Sequence, residues 1–549
     1  MIGSLAAESW PRLGAALLAL TLGAGCSTSD RHGSVDGVGD IKRDGSQRHL
    51  DVGQPEAGAG PEAGQRPEAG QGPEAGQSPD AGTPVPDGAT GQLAGSITKD
   101  GVTWTFAKPA VVGQFVTGDY WVVGPVTVTA ISPPPGKSSP YMNGTVKNMP
   151  FKKGSGFDQR LDDGVDQSWW FDASLRQYPP ISLVSGDTLV SSISFATPHT
   201  VAEQFSPWDK NPSPIRSYSI LTVVAGPVSS DAFRPSYCDR GRKYHYASKV
   251  NRGLLPALKP PNPAAVPALK DFEAAYRRPW IDTNQFNWDV PGEYMPGYGH
   301  HVSLMTSYAV LLLTLDLTPA SKVNLTNYLV QYGIDTFGCV GAGVTHPAFG
   351  GHGNGRKLPV IFAGVLLNDA AMKNVSASYP DSFSEDMQTV HVNKIPGGFS
   401  KAWQGATVIY GGHLGVRSTG VPVDTTQFNN GSGPYEQLAP GAWPVWSGEQ
   451  IGEAYRRCCT STGIVAEALA ARLLGKAAVS AWNYPAFFDY ADRWMTEDDT
   501  QAVADIKSQS GFDYSASWAR QKQTLHFLQG RIAQNTFIDD MWSAYRSSH

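Results

Sequence analysis

The sequence has little charge and, beyond its first 26 residues, no long apolar run. Charged residues make up 17% of the 549 residues. No later apolar stretch reaches the ~20 residues that span a bilayer, which excludes a polytopic membrane protein. The net charge is −6, and residues 27–95 carry 11 acids against 5 bases. This balance argues against a basic nucleic-acid-binding protein, so we expect no nucleic acid partner.

Cysteine is scarce, and the sequence contains no spacing that is typical of a metal site. There is no CxxC, HxH or HExxH motif, so we predict no metal and no cofactor, and structural calcium is not predicted either. Beyond Cys26, the cysteines are Cys238, Cys339, Cys458 and Cys459. Four cysteines allow three pairings, and their spacing does not choose among them.

The N-terminus has the features of an export signal. Residues 13–25 form an apolar run after Arg12, too short for a transmembrane helix, and Cys26 follows small residues. This resembles a bacterial lipoprotein signal, with residues 1–26 as signal peptide and Cys26 as the lipidated residue. An ordinary secretory signal is the alternative. We expect an exported protein whose only membrane contact is the lipid on Cys26. Ser27 after this cysteine is compatible with attachment to the outer membrane. If the signal is an ordinary secretory one, we expect a secreted protein instead.

Residues 27–95 have the composition of a disordered tether. PEAG or PDAG recurs every six residues from Pro55 to Pro79, and the segment has no aromatic residue. Such a composition buries too little apolar surface to offset the chain entropy lost on folding. We therefore predict a flexible spacer between the lipid and the folded part of the chain.

Two folded regions are predicted after the tether. Residues 96–228 contain runs rich in Val, Thr, Ile and aromatics between Gly/Pro clusters, which is typical of a β-sandwich. Residues 229–549 show apolar spacing near 3.6, and residues 305–315 are apolar on nearly all sides.

The fold prediction is multidomain α+β: a β-sandwich-like domain followed by an all-α (α/α) toroid or barrel. A compact helical bundle is the alternative. The predicted helices are 263–278, 299–316, 319–335, 356–374, 448–474, 484–496, 515–530 and 536–547.

A Gly/Pro-rich loop before the buried helix is the first candidate site. Glycine and proline constrain its backbone and would hold the polar groups in place. The residues proposed for substrate binding are Asn287, Trp288 and Glu293, and those proposed for catalysis are Tyr298, His300 and His301. The alternative is a loop that only caps and packs the helix.

The second candidate is the glycine-rich stretch 346–359. His352 lies among four glycines, and Asn354, Arg356 and the following helix start would favour an anion. The spacing does not match GxxxxGK[ST], which argues against a phosphate-binding P-loop. The alternative is a surface loop whose charges are solvated and bind no ligand.

The third candidate is the helix start at 443–459. Trp443 and Trp446 precede it, and Glu449, Glu453 and Arg456 share one helix face. Tryptophan faces often stack on sugar rings, although buried tryptophan is at least as common. Tyr455 lies on a neighbouring face and is a reserve candidate for catalysis.

Taken together, these stretches resemble exported bacterial polysaccharide lyases of the (α/α)-toroid kind, which act on alginate, glucuronan or glycosaminoglycans. The resemblance covers roughly residues 230–549. It implies β-elimination next to a uronate carboxylate. Arg356, with Asn354 or His352, would neutralise that carboxylate, and Tyr298 with His300 or His301 would transfer the proton.

Two other functions remain open. A glycoside hydrolase would use Asp289 or Glu293 with Glu449 or Glu453 as its carboxylate pair. A non-catalytic glycan-binding lipoprotein would use the aromatic loops without turning over a substrate. In each case the expected partner is a polysaccharide, anionic for the lyase, and the protein is expected to be a monomer.

Overall fold

The structure is a computed structural model, and it describes residues 91–138, 141–149, 173–194, 215–241, 243–282, 292, 294–296, 298–397, 400–423, 433–443, 451–511 and 536–549. The signal, the lipidated Cys26 and nearly all of the tether lie outside the described residues, as do Asn287, Trp288, Asp289, Glu293, Trp446 and Glu449. The predictions made for these residues stay predictions.

A tight hairpin opens the described chain. Strand β1 (Gln92–Lys99) begins inside the segment predicted as tether and pairs antiparallel with β2 (Val102–Gln114). Asp100 and Gly101 connect them with φ of 45° and 88°. Two consecutive left-handed residues are what a type I′ turn needs, and Asp-Gly provides them with little strain.

This hairpin belongs to one curled, mixed half-barrel sheet. Its order is β7-β9-β10-β3-β2-β4-β8, with β1 attached to β2; β10 and β3 run parallel, and the other pairs are antiparallel. The strands are β3 Tyr120–Val123, β4 Val126–Ser132, β7 Thr145–Lys147, β8 Ile181–Leu183, β9 Thr188–Ser194 and β10 Ile215–Val224. Two further pairs are β5 Gly136–Ser138 with β6 Tyr141–Asn143, and β11 Thr389–His391 with β12 Val408–Tyr410.

Helices follow the sheet along the chain. They are α1 Leu269–Tyr276, α2 Gly299–Thr314, α3 Pro319–Gly341, α4 Lys357–Leu366, α5 Ala370–Lys373, α6 Val375–Ser378, α7 Ile451–Tyr455, α8 Ser461–Leu473, α9 Lys476–Trp482, α10 Pro485–Thr496, α11 Thr500–Ser510 and α12 Phe537–Tyr545. A π-turn at Arg456–Thr460 joins α7 to α8. Helix α2 is buried at every position except His301, as its all-round apolar sequence predicts. None of the described helices is long and apolar enough to cross a membrane.

The prediction of a β-sandwich followed by an all-α toroid is wrong. The chain instead combines the curled mixed sheet with helices in an α+β arrangement. Strand β10 is buried at nine of its ten positions. Its residue Ile220, which pairs with Val190 of β9, belongs to the same hydrophobic core as Leu304 of α2 and Leu469 of α8. Helices therefore cover the sheet face that a second sheet would cover in a sandwich.

Two long-range links attach the sheet to the helices. Arg234 is fully buried and pairs with Asp119, which precedes β3, at 2.9 Å, and with Asp335 of α3 at 2.5 Å. A disulfide joins Cys238 to Cys339, 101 residues apart. The segment between the sheet and α1 is thus fixed to α3 by a buried ion triad and a covalent bond.

Candidate functional site

The start of α2 places three predicted residues side by side. Tyr298 is the N-cap, with extended backbone, and His300 and His301 lie in the first turn. A Cβ on Gly299 would lie 2.0 Å from the carbonyl oxygen of His352, so only glycine allows the 346–356 loop to approach the helix this closely.

The 346–356 loop passes between the start of α2 and the α7–α8 junction. Gly350 has φ of 58°, and a Cβ there would meet the ring of Tyr455 at 2.4 Å and that of His413 at 2.8 Å. At Gly351 a Cβ would lie 2.2 Å from the carbonyl oxygen of Cys459. The glycines predicted to permit close approach therefore admit the protein's own side chains and backbone.

These contacts bring six rings together: Tyr298, His300, His301, His352, His413 and Tyr455, which we call the Tyr/His cluster. The ring centroid of Tyr298 lies 4.6 Å from that of His352, 5.6 Å from His301 and 6.3 Å from His300. The Tyr298 hydroxyl donates a hydrogen bond to the carbonyl of Gly350. Residues about 50 positions apart in the sequence thus meet around one phenol.

The other side of the cluster contains two residues that the sequence analysis missed. His413 packs against Tyr455 with ring centroids 4.3 Å apart, and Phe349 lies between His352 at 5.6 Å and His413 at 4.8 Å. His413 is one of the histidines between 300 and 413. Its place depends on the backbone bond from Gly350 to His413, which local sequence does not show.

Burial divides the cluster into neutral and accessible members. Burial, with a smaller effect of His301, lowers the pKa of His300 well below its usual range, and its Nε2 lies 3.1 Å from the hydroxyl of Thr462. Burial lowers the pKa of His413 to about 4. Both imidazoles are therefore neutral at pH 7. Tyr298, His301 and Tyr455 are half-buried and form the accessible part.

Arg356 lies inside the protein. Its side chain is 1% exposed, and it pairs with Asp282 through contacts of 2.7 Å and 3.3 Å. Burial alone would raise the pKa of Asp282, but the guanidinium of Arg356 and the nearby His346 hold it below the usual range. Arg356 also donates to the backbone carbonyls of His352 and Asn354. It therefore supports the loop that carries His352.

The anion site predicted at the start of α4 is occupied by the protein itself. One carboxylate oxygen of Glu385 accepts hydrogen bonds from the backbone N–H groups of Gly355, Arg356 and Lys357 at 2.9–3.1 Å. The amide oxygen of Asn354 accepts a bond from Ser384. The helix start does bind an anion, as its geometry favours, but that anion is an internal side chain.

The third stretch is also mostly interior. Glu453 and Arg456 are fully buried, and Trp443 is 1% exposed with its ring nitrogen bonded to the carbonyl of Leu438. Arg456 pairs with Glu436, Glu453 and Glu497 at 3.4, 3.3 and 2.6 Å. These four residues, with Arg457, Arg493 and Tyr435, are called the ionic cluster below.

Of the predicted residues that the structure describes, the Tyr/His cluster unites Tyr298, His300, His301, His352 and Tyr455. Asn354, Arg356, Trp443, Glu453 and Arg456 instead lie in the interior. Within the described ranges, no three His, Cys, Asp or Glu side chains are placed to share a metal ion.

The half-buried phenols and imidazole of the Tyr/His cluster can donate and accept protons at a place that solvent reaches. The buried members fix the rings around them by packing. Such an arrangement suits general acid–base chemistry. Comparison of the chain with protein-family models, with curated proteins and with solved structures found no match.

Proposed function

We propose that this protein is an exported lyase that cleaves uronic-acid-containing polysaccharide by β-elimination in the Tyr/His cluster. The observation that carries the proposal is the convergence of Tyr298, His301 and His352 from two distant segments around one accessible phenol. The Cys238–Cys339 disulfide supports export, because such bonds persist in oxidising compartments.

In β-elimination a base removes the proton at C5 of the uronate. The C4–O4 bond then breaks, a C4=C5 double bond forms, and O4 takes up a proton. Tyr298 already acts as a hydrogen-bond donor toward Gly350, which suits it to protonate O4. His301 is the half-buried imidazole beside it and suits the base.

Neutralising the substrate carboxylate is the third requirement, because charge builds up on it in the transition state. Arg356 and Asn354 are committed to internal partners, so the proposal gives them no contact with substrate. His352 remains the candidate, because its ring packs against the half-buried Tyr298 with centroids 4.6 Å apart; its own side chain is only 2% exposed, so the substrate carboxylate would have to reach it past the Tyr298 ring. Arg356 then acts only on the loop that positions His352.

The test uses the full chain with alginate, glucuronan, glycosaminoglycans and neutral glycans. Ultraviolet absorbance reports the unsaturated uronate, and a reducing-end assay reports every cleavage. We expect both signals to rise together on one uronate polymer. Tyr298→Phe and His301→Ala should each lower the rate by ~100-fold or more, the usual contribution of a general acid or base.

Tyr178→Phe is the matched control, because Tyr178 is an exposed tyrosine (57%) beside the sheet. It should leave the rate unchanged. Reducing ends without absorbance would contradict the lyase mechanism and point to hydrolysis. No signal on any polymer would contradict the proposed enzymatic activity.

A further inference from the structure

A second concave site lies beside the ionic cluster, and Arg493 and Glu497 of that cluster are among its lining residues. It is a pocket of about 440 Å³ between the turn at 403–408 and one face of α10. This volume falls in the range of small-molecule sites. The lining residues used below are Trp403, Asp489, Asp492, Arg493, Thr496 and Glu497.

The floor of the pocket is a preformed polar face. Asp489, Asp492, Arg493, Thr496 and Glu497 recur at helical spacing, so they share one side of the chain at α10. Asp492 and Arg493, in the middle of this face, are paired with residues that do not line the pocket. Arg472 bonds Asp492 at 2.8 and 2.9 Å, and Glu436 bonds Arg493 at 2.6 Å. A ligand therefore meets polar groups whose positions are already fixed, which lowers the entropy lost on binding.

The rim of the pocket is formed by Trp403 and the turn that follows it, whose backbone is held by a hydrogen bond. Trp403 is half-buried and meets Trp443 edge-on with ring centroids 5.7 Å apart. Gln404 and Gly405 follow with φ of 54° and 77°. The amide of Gln404 donates to the carbonyl of Asp498 at 2.6 Å, which ties this turn to the end of α10. A left-handed non-glycine residue held this way is often found beside a binding site.

Asp489, at the edge of the pocket, can accept a further hydrogen bond. The side chain of Asp489 is 56% exposed, and one of its oxygens lies 2.8 Å from Nε2 of His391. This is its only hydrogen bond among the described residues, so its second oxygen can accept from a ligand hydroxyl. His391 sets the orientation of the carboxylate.

We propose that this pocket binds an uncharged sugar ring of a glycan. The ring would stack on Trp403 and donate a hydroxyl to Asp489, the aromatic-plus-carboxylate combination that suits an apolar sugar face with polar edges. Three carboxylates and one arginine line the pocket, which disfavours a uronate there. The proposal is independent of the lyase activity, because it concerns binding at a different surface.

Isothermal titration calorimetry of the full chain tests it, with cello-, xylo-, manno- and malto-oligosaccharides as probes and a uronate oligomer for comparison. At least one neutral oligosaccharide should bind. Trp403→Ala and Asp489→Asn should each weaken that binding by about tenfold or more, whereas Trp403→Phe should retain most of it. Asp505→Asn on the neighbouring α11 is the matched control and should bind like the wild type.

Absence of binding by every neutral oligosaccharide would overturn the proposal. So would binding that survives both Trp403→Ala and Asp489→Asn. If Trp403→Ala fails to fold by circular dichroism, Asp489→Asn and Trp403→Phe decide alone, since the Asp489 side chain is mostly exposed and phenylalanine keeps an aromatic face.

Discussion

The Tyr/His cluster and the ionic cluster have similar sequence features but differ in solvent exposure, since the first is partly accessible and the second is buried. Each contains polar residues at a helix start that follows a loop. In the ionic cluster Arg456 and Glu453 are fully buried and paired with one another and with charges from other segments. In the Tyr/His cluster Tyr298, His301 and Tyr455 stay half-exposed and make ring contacts instead of ion pairs, Tyr298 with His301 and Tyr455 with the buried His413. Strong charges at a helix start are thus poor indicators of a substrate site when partners of opposite sign exist elsewhere in the chain.

The largest effect on stability is expected from breaking the ionic cluster. Arg456→Met should lower the free energy of unfolding by about 3–5 kcal/mol, because it leaves Glu436, Glu453 and Glu497 buried without that partner. Denaturant titration measures this loss. Arg417→Ala, which removes an exposed arginine, should change it by less than about 0.5 kcal/mol. Equal stability of the two variants would mean that Arg456 is not a structural residue.

Gly350→Ala should disturb the Tyr/His cluster without removing any of its side chains. The new Cβ would overlap Tyr455 and His413, which adds about 1–3 kcal/mol to the cost of the left-handed backbone. Gly511→Ala measures the backbone cost, because Gly511 is also left-handed and its Cβ would meet no atom of the described residues within 4 Å. A loss of stability no greater than that of Gly511→Ala would show that the rings do not pack as described.

Glu467 of α8 lies in a third kind of environment: it is buried, and no counter-ion contacts it within the part of the chain that the structure describes. It is 1% exposed, and neither carboxyl oxygen has a hydrogen-bond partner among the described residues. Burial, followed by repulsion from Glu385, raises its pKa well above the ordinary 4.5. The other charged groups acting on it are Arg356, Lys357 and Asp386.

The raised pKa of Glu467 gives a pH dependence of known sign. The folded state keeps a proton that the unfolded chain releases, so the free energy of unfolding falls as pH rises from about 4.5 to the raised pKa. Glu467→Gln should remove this decline and make the protein more stable than the wild type at pH 7 and above. Denaturant midpoints at several pH values measure it, with Asp505→Asn as control. Parallel pH profiles of Glu467→Gln and wild type would contradict the prediction.

The smallest effect on stability is expected from Tyr298→Phe, although its effect on catalysis should be large. It removes one hydrogen bond to the carbonyl of Gly350, worth about 1 kcal/mol. A thermal melt should therefore differ little from the wild type while lyase activity is lost. A collapse of stability comparable to Arg456→Met would place Tyr298 among the structural residues instead.

Local features of the fold were predictable where the local sequence determines them. Helix α10 was expected at 484–496 and lies at Pro485–Thr496, where proline suits the first turn. The predicted helix 356–374 instead ends at Leu366, because Asn368 adopts φ of 52° and Asp369 caps the next helix. The fold class was wrong because alternating strands bury one face in the same way whether a sheet or helices cover it.

The partners of the candidate residues could not be predicted, because they come from distant segments. Asp282 binds Arg356 from 74 positions away, and Glu385 reaches the start of α4 from 28 to 30 positions away. His413 joins the cluster through a loop without regular periodicity. Local sequence therefore singled out five of the six rings that meet in the Tyr/His cluster and missed His413. It could not separate an anion-binding helix start from one already filled by an internal side chain.

The most direct test of the Tyr/His cluster as an active site compares the full chain with Tyr298→Phe on the uronate polymer that the wild type cleaves. Absorbance of the unsaturated product is followed for both proteins at a temperature where both are folded. We predict formation of the unsaturated uronate by the wild type and a rate lower by ~100-fold or more for the variant. Equal rates for the two proteins would contradict the assignment of catalysis to this cluster.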